Sequence, residues 1–204
     1  MDRSTKRFAV WTLTALLAAS PAAAAVYDFD ASHTAAQFSV THLMVSTVRG
    51  QFSNVKGTVE VDDKDASSVK VDATIDASTV DTREPKRDAH LKSPDFFDVA
   101  KFPTITFKSK KSQKVGADAY KVTGDLTMHG VTKEVVLDVK DVKTVKDPWG
   151  NTKLGAVATA KVDRKDYGLL WNKSLDGGGV LVGDDVAITL DLELAKKVPE
   201  APKK

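Results

Sequence analysis

The 204-residue chain contains no cysteine. That absence removes thiol catalysis, thiolate zinc sites, haem attachment through cysteine and any disulfide framework. The fold must hold by its own core, and a chain of this length is long enough to bury one. An excess of either charge is also lacking, with 30 Lys+Arg against 28 Asp+Glu. Setting aside Arg3, Lys6, Arg7 and Asp2 leaves 27 of each sign. Nucleic-acid binding depends on neutralising phosphates, so this balance argues against nucleic acid as a partner. The apolar run from Phe8 to Ala19 falls short of the ~20 residues that a membrane-spanning helix needs. With its basic start, Pro21 and the small residues that follow, it predicts a secretory signal peptide over 1–25. Cleavage after Ala24 or Ala25 would start the mature chain near Val26 and place it in the periplasm.

Signatures of catalysis are missing as well. No two histidines stand at i, i+2 or i+4, and there is no HExxH and no GxSxG. The stretch "DGGGVLVGDD" lacks the Lys-Ser/Thr ending of a phosphate loop, and "VDDKDAS" lacks the ligand spacing of a calcium loop. These absences predict a protein with no catalytic residue, no metal site and no required cofactor.

What is present is period-2 alternation. Eight segments read as strands: 34–42, 48–61, 68–77, 103–113, 119–128, 131–144, 153–163 and 185–196. In the last, Val186, Ile188, Leu190, Leu192 and Leu194 share one face. Gly50 and Gly57 read as bends or bulges within the second. One-sided alternation favours antiparallel strands with one wet face. Eight such strands joined by short loops predict an all-β, up-and-down antiparallel barrel, with an Ig-like sandwich as the alternative. A polar tail follows over 197–204.

One segment departs from the pattern. "RDAHLKSPDFFDVAKFP" (87–103) carries helix chemistry, with Thr82 as a predicted N-cap and Ser93–Pro94 opening a second turn. In a meander, the loops after strands one, three, five and seven share one end. That parity gathers His42, His90, His129, Phe96, Phe97, Tyr167 and Trp171 at one rim, with the insert as a lid between strands three and four. Arg83, Lys86 and Arg87 on the insert would suit an anionic head group or form a solvated face. Ala36, Ala73, Gly124, Ala156, Ala158 and Ala160 on the strands would leave room inside.

Several stretches together resemble the YceI family of exported proteins. They are "YDFDASHTAAQFSVTHLMVSTVRGQFSNVKGTV", "RDAHLKSPDFFDVAKFPTITFKS", "GDLTMHGVTKEVVL" and "RKDYGL". The resemblance runs from Tyr27 to about Leu194. It implies a lipocalin-like eight-stranded barrel that holds a long apolar molecule: a polyisoprenoid, an isoprenoid quinone or a fatty-acid-like amphiphile. Under that reading, Phe38, Val40, Phe52, Ile75, Phe107, Leu126, Leu137, Ile188 and Leu190 line the cavity. Phe96, Phe97 and Trp171 close its rim, while His42, His90 and Arg87 face the polar head or brace the lid. An apolar rim would also suit a transient membrane contact or a homodimer contact. Two readings of other classes stand beside it: a stress-protective envelope protein without a ligand, and an enzyme using the rim histidines.

Overall fold

The computed structural model of the chain describes residues 24–62 and 68–198. The leader over 1–25, but for its last two residues, lies outside them, as do 63–67 of the polar turn and 199–204 of the tail.

Ten strands form one antiparallel sheet: β1 (Ala25–Phe29), β2 (Ala35–His42), β3 (Ser46–Phe52), β4 (Lys56–Val61), β5 (Lys70–Asp76), β6 (Thr104–Lys114), β7 (Tyr120–Met128), β8 (Val131–Lys146), β9 (Thr152–Asp163) and β10 (Val182–Lys196). From β4 to β10 each strand pairs with the next. Closure comes from β10, which takes β9 on one edge and both β1 and β2 along the other. β3 pairs with β2, and β4 pairs with β1. Thus β1–β2 and β3–β4 are two long staves, each broken once, and the sheet is a closed eight-stave barrel rather than a sandwich.

The breaks are stitched by side chains. At the first, Thr34 Oγ1 donates to the Glu193 carbonyl (2.9 Å) and accepts from the Glu193 N–H (3.2 Å). A hydroxyl thereby replaces a rung of the ladder. Beside it, Lys153 Nζ lies 2.8 Å from Asp30 and 3.0 Å from Glu193. The hydrogen bond from Lys153, then those from Ser32 and His33, hold the Asp30 carboxyl well below the usual carboxylate range. At the second break, Thr79 Oγ1 accepts from Ser53 N–H at 2.9 Å, and Gln51 and Asp81 exchange backbone hydrogen bonds at 2.9 Å each. The insert is therefore fastened to β3 where it leaves the barrel.

The alternation points apolar side chains inward. Register shifts move the pattern in places, as in β8 between Lys140 and Lys143, where Asp141 has φ 56°. The shift turns Val142 into the interior three residues after Val139. Gly50 is neither a bend nor a bulge. It sits in register opposite Phe38, and a Cβ there would lie 2.4 Å from Phe38 Cζ. Its missing side chain is the space the Phe38 ring occupies. Gly57 does take a positive φ of 128°.

The insert contains helix α1, Pro85–Lys92, whose N-cap is Glu84 rather than Thr82. Pro85 preset at the first helical position fixes the start two residues later than expected. Thr82 is buried instead, with its N–H and Oγ1 both donating to Asp88 Oδ1. Ser93 opens turns, not a second helix.

Candidate functional site

The barrel encloses a cavity of about 590 Å³. By strand direction it runs from the α1 end, at His42, His90 and Trp171, to the opposite end, at Tyr120, Val142 and Leu154. Its wall is mostly Val, Leu, Ile, Ala and Phe. Phe38, Val40, Ile75, Leu126, Ile188 and Leu190 point inward yet stay only half-buried. In a solidly filled barrel, residues at the middle of a strand would be buried against one another. Here their uncovered surface opens onto the cavity.

Every residue expected to line the cavity or close its rim is found in its wall, including His42, Phe52, Arg87, Phe107 and Leu137. The small residues divide. Ala36, Ala73, Ala156, Ala158 and Ala160 line the space, whereas Gly124 accommodates the Phe107 ring, whose Cζ a Cβ would meet at 2.6 Å.

The rim is built from loops that the meander brings together. Leu43 N–H donates to the Leu181 carbonyl (2.8 Å), and His129 Nδ1 lies 3.1 Å from the Tyr167 carbonyl. His129 and Gly130 both have positive φ, 52° and 74°, forming the two-residue turn between β7 and β8. The His129 ring packs edge-on against Phe102 at 4.8 Å, so this histidine braces the outside of the rim.

The lid is anchored by its phenylalanines, not its helix, since α1 has no buried residue. Phe96 and Phe97 are 7% and 8% exposed. Phe97 meets Phe52 at 5.3 Å, and Phe52 meets Phe38 at 5.6 Å. Phe96 packs on Trp171 at 5.4 Å, and His90 stands between them, 5.0 and 4.7 Å from their rings. His90 Nε2 also lies 2.8 Å from Asp95. Arg87 donates through Nε to Thr82 Oγ1 (2.8 Å) and through Nη2 to the Thr82 carbonyl (2.9 Å). It therefore braces the lid at the cavity mouth.

Two features escape sequence reasoning. Arg164, buried, donates to the carbonyls of Gly183 (2.9 Å), Trp171 (3.0 Å) and Leu169, and pairs with Asp184 at 3.2 Å. It ties the loop before β10 into the rim. The only hint was its place at the head of "RKDYGL". Tyr167 is buried behind the wall rather than lining it, and its hydroxyl has no hydrogen-bond partner among the described residues. Burial pushes its pKa up to about 12. At the first stave break, Asp30, His33 and Glu193 approach one another closely enough to ligate a cation. The Lys153 ammonium already answers the two carboxylates there, which makes the group a structural clamp.

Residues 27–194 match the profile of the YceI-like domain. UPF0312 protein SA2479 of Staphylococcus aureus (strain N315) is 38% identical over 170 residues, covering 83% of this chain and 96% of that protein. The crystal structure of the Campylobacter jejuni YCEI protein is 31% identical, with a TM-score of 0.66 over 78% of this chain and 90% of its own. A polyisoprenoid binding domain from Saccharophagus degradans shares the fold at 14% identity, with a TM-score of 0.61 over 84% of this chain and 98% of its own.

Proposed function

Starting from the premise that this chain belongs to the YceI-like family, we propose that it is a non-catalytic carrier of one long apolar amphiphile. The cargo class is a polyisoprenoid, an isoprenoid quinone or a fatty-acid-like lipid, and no further cofactor is needed. The observation that carries this reading is the cavity of about 590 Å³, walled by inward-facing apolar residues that remain half-buried. Each methylene moved from water into such a space gains about 0.8 kcal/mol. A chain of many methylenes can therefore outweigh the ordering cost of binding. The fold shared with a polyisoprenoid binding domain supports the same class.

The leader pattern over 1–25 supports action outside the cytoplasmic membrane. Exposed Leu43, Met44 and Val45 at the mouth suit transient contact with a lipid surface during loading. Titration of the delipidated protein with geranylgeraniol tests the reading. In the mature chain, which would lack Trp11, Trp171 emission isolated by Trp149→Phe should change and saturate at one ligand per chain. A non-saturable response, or none, overturns it.

A further inference from the structure

We propose that the cavity mouth is an anion subsite and that the cargo carries an anionic head group, a phosphate or a carboxylate. The inference rests on the carrier reading above and narrows its ligand class. Among the described residues, no Asp or Glu lines the cavity. The charged and imidazole groups in the wall are Lys86, Arg87, His42, His90 and Arg164, and all stand at the lid end. A greasy channel with one sign of charge at one end sets the orientation of an amphiphile: tail inward, anion at the mouth.

These groups are not equally available. Arg164 spends its nitrogens on rim carbonyls and Asp184. His90 faces Asp95. Lys86 has no carboxylate partner among the described residues, and the acids nearest it in sequence are engaged elsewhere. Glu84 accepts from the Lys86 N–H, Asp88 from Thr82, and Asp81 from the Arg83 N–H. Arg87 is fixed by two of its nitrogens on Thr82, leaving Nη1 without a protein partner among the described residues. The Arg87 guanidinium, held at the mouth by Thr82, is preorganised for an oxyanion because little of its side-chain freedom remains to be lost on binding, and the exposed Lys86 ammonium, one residue earlier on α1, adds positive charge to the same mouth. If the pair were merely a solvated helix face, head-group charge would make no difference.

The delipidated full-length mature chain should be titrated at low salt and pH 8 with hexadecanol, palmitate and hexadecyl phosphate, which share one tail length. The two anions should bind at least about tenfold tighter than the alcohol, roughly the worth of one charge-assisted hydrogen bond. A lead of phosphate over palmitate assigns the subsite to phosphate monoesters, and parity assigns it to oxyanions in general. Lys86→Gln touches no structural partner. It should cut the advantage of the anions over hexadecanol by about threefold or more, as loss of one charge contact implies. Lys86→Glu, which reverses that charge and leaves the Arg87–Thr82 brace in place, should abolish it. Equal binding of alcohol and anions, or an advantage untouched in both variants, overturns the inference while the carrier reading stands. Failure of all three probes to bind overturns both.

Discussion

Ala160→Phe separates a hollow barrel from a packed one. Ala160 lies on β9 opposite Ile188, faces the cavity, and is only half-buried because the space before it is open. The added phenyl ring would enter that space. If it displaces about five methylenes of cargo, at about 0.8 kcal/mol each, about 4 kcal/mol of binding is lost, several hundredfold in Kd. The stability of the delipidated chain should move the other way. A ring entering empty apolar space gains contacts, so urea unfolding should show no loss, or a gain of up to about 2 kcal/mol. Inserting the same ring into a filled core would destabilise by about 1–3 kcal/mol. Urea denaturation and geranylgeraniol titration on the same preparation measure both quantities. Destabilisation beyond about 1 kcal/mol with cargo affinity intact would refute the reasoning.

Gly50→Ala would place a Cβ 2.4 Å from Phe38 Cζ and 2.7 Å from Thr82 Cγ2. Urea unfolding should show a loss of about 1–3 kcal/mol, the usual penalty of overpacking. The depressed pKa of Asp30 gives its clamp a defined pH window. Its contribution is complete above the ordinary Asp value of about 3.9 and fades as pH falls below that toward the folded-state pKa. Asp30→Asn should therefore lower stability at neutral pH and flatten its decline below about pH 4, and an unchanged acid slope would contradict this. Tyr167→Phe removes a buried hydroxyl that has no partner among the described residues. Thermal and urea unfolding should find it neutral or stabilising by about 1 kcal/mol, and a clear loss would reveal a hydrogen bond of that hydroxyl.

Most of the barrel is legible in the chain because inward and outward positions alternate with a period of two, as in β10 from Val186 to Leu194. Strand parity then suffices to bring His90, Phe96 and Trp171 together across wide gaps in sequence. The illegible features are those made by single side chains meeting at a distance. The stave breaks depend on Thr34 reaching Glu193 and Thr79 reaching Ser53, and no local pattern announces either. Gly50 reads as a bend until Phe38 is seen lying over it. The short β1, with Asp28 inside it, hides because its pairing partners, β4 and β10, are remote. Cavity size was beyond sequence reasoning for a related reason. The radius depends on stave number and stagger, so the same alanines and phenylalanines could fill a narrower barrel.

Native mass spectrometry of the intact mature protein, before and after mild delipidation, tests the central claim most directly. The account predicts a single lipid-sized adduct on each chain, lost on delipidation and restored by one equivalent of geranylgeraniol. A bare polypeptide mass in both preparations, with no adduct formed on adding the polyprenol, would contradict it.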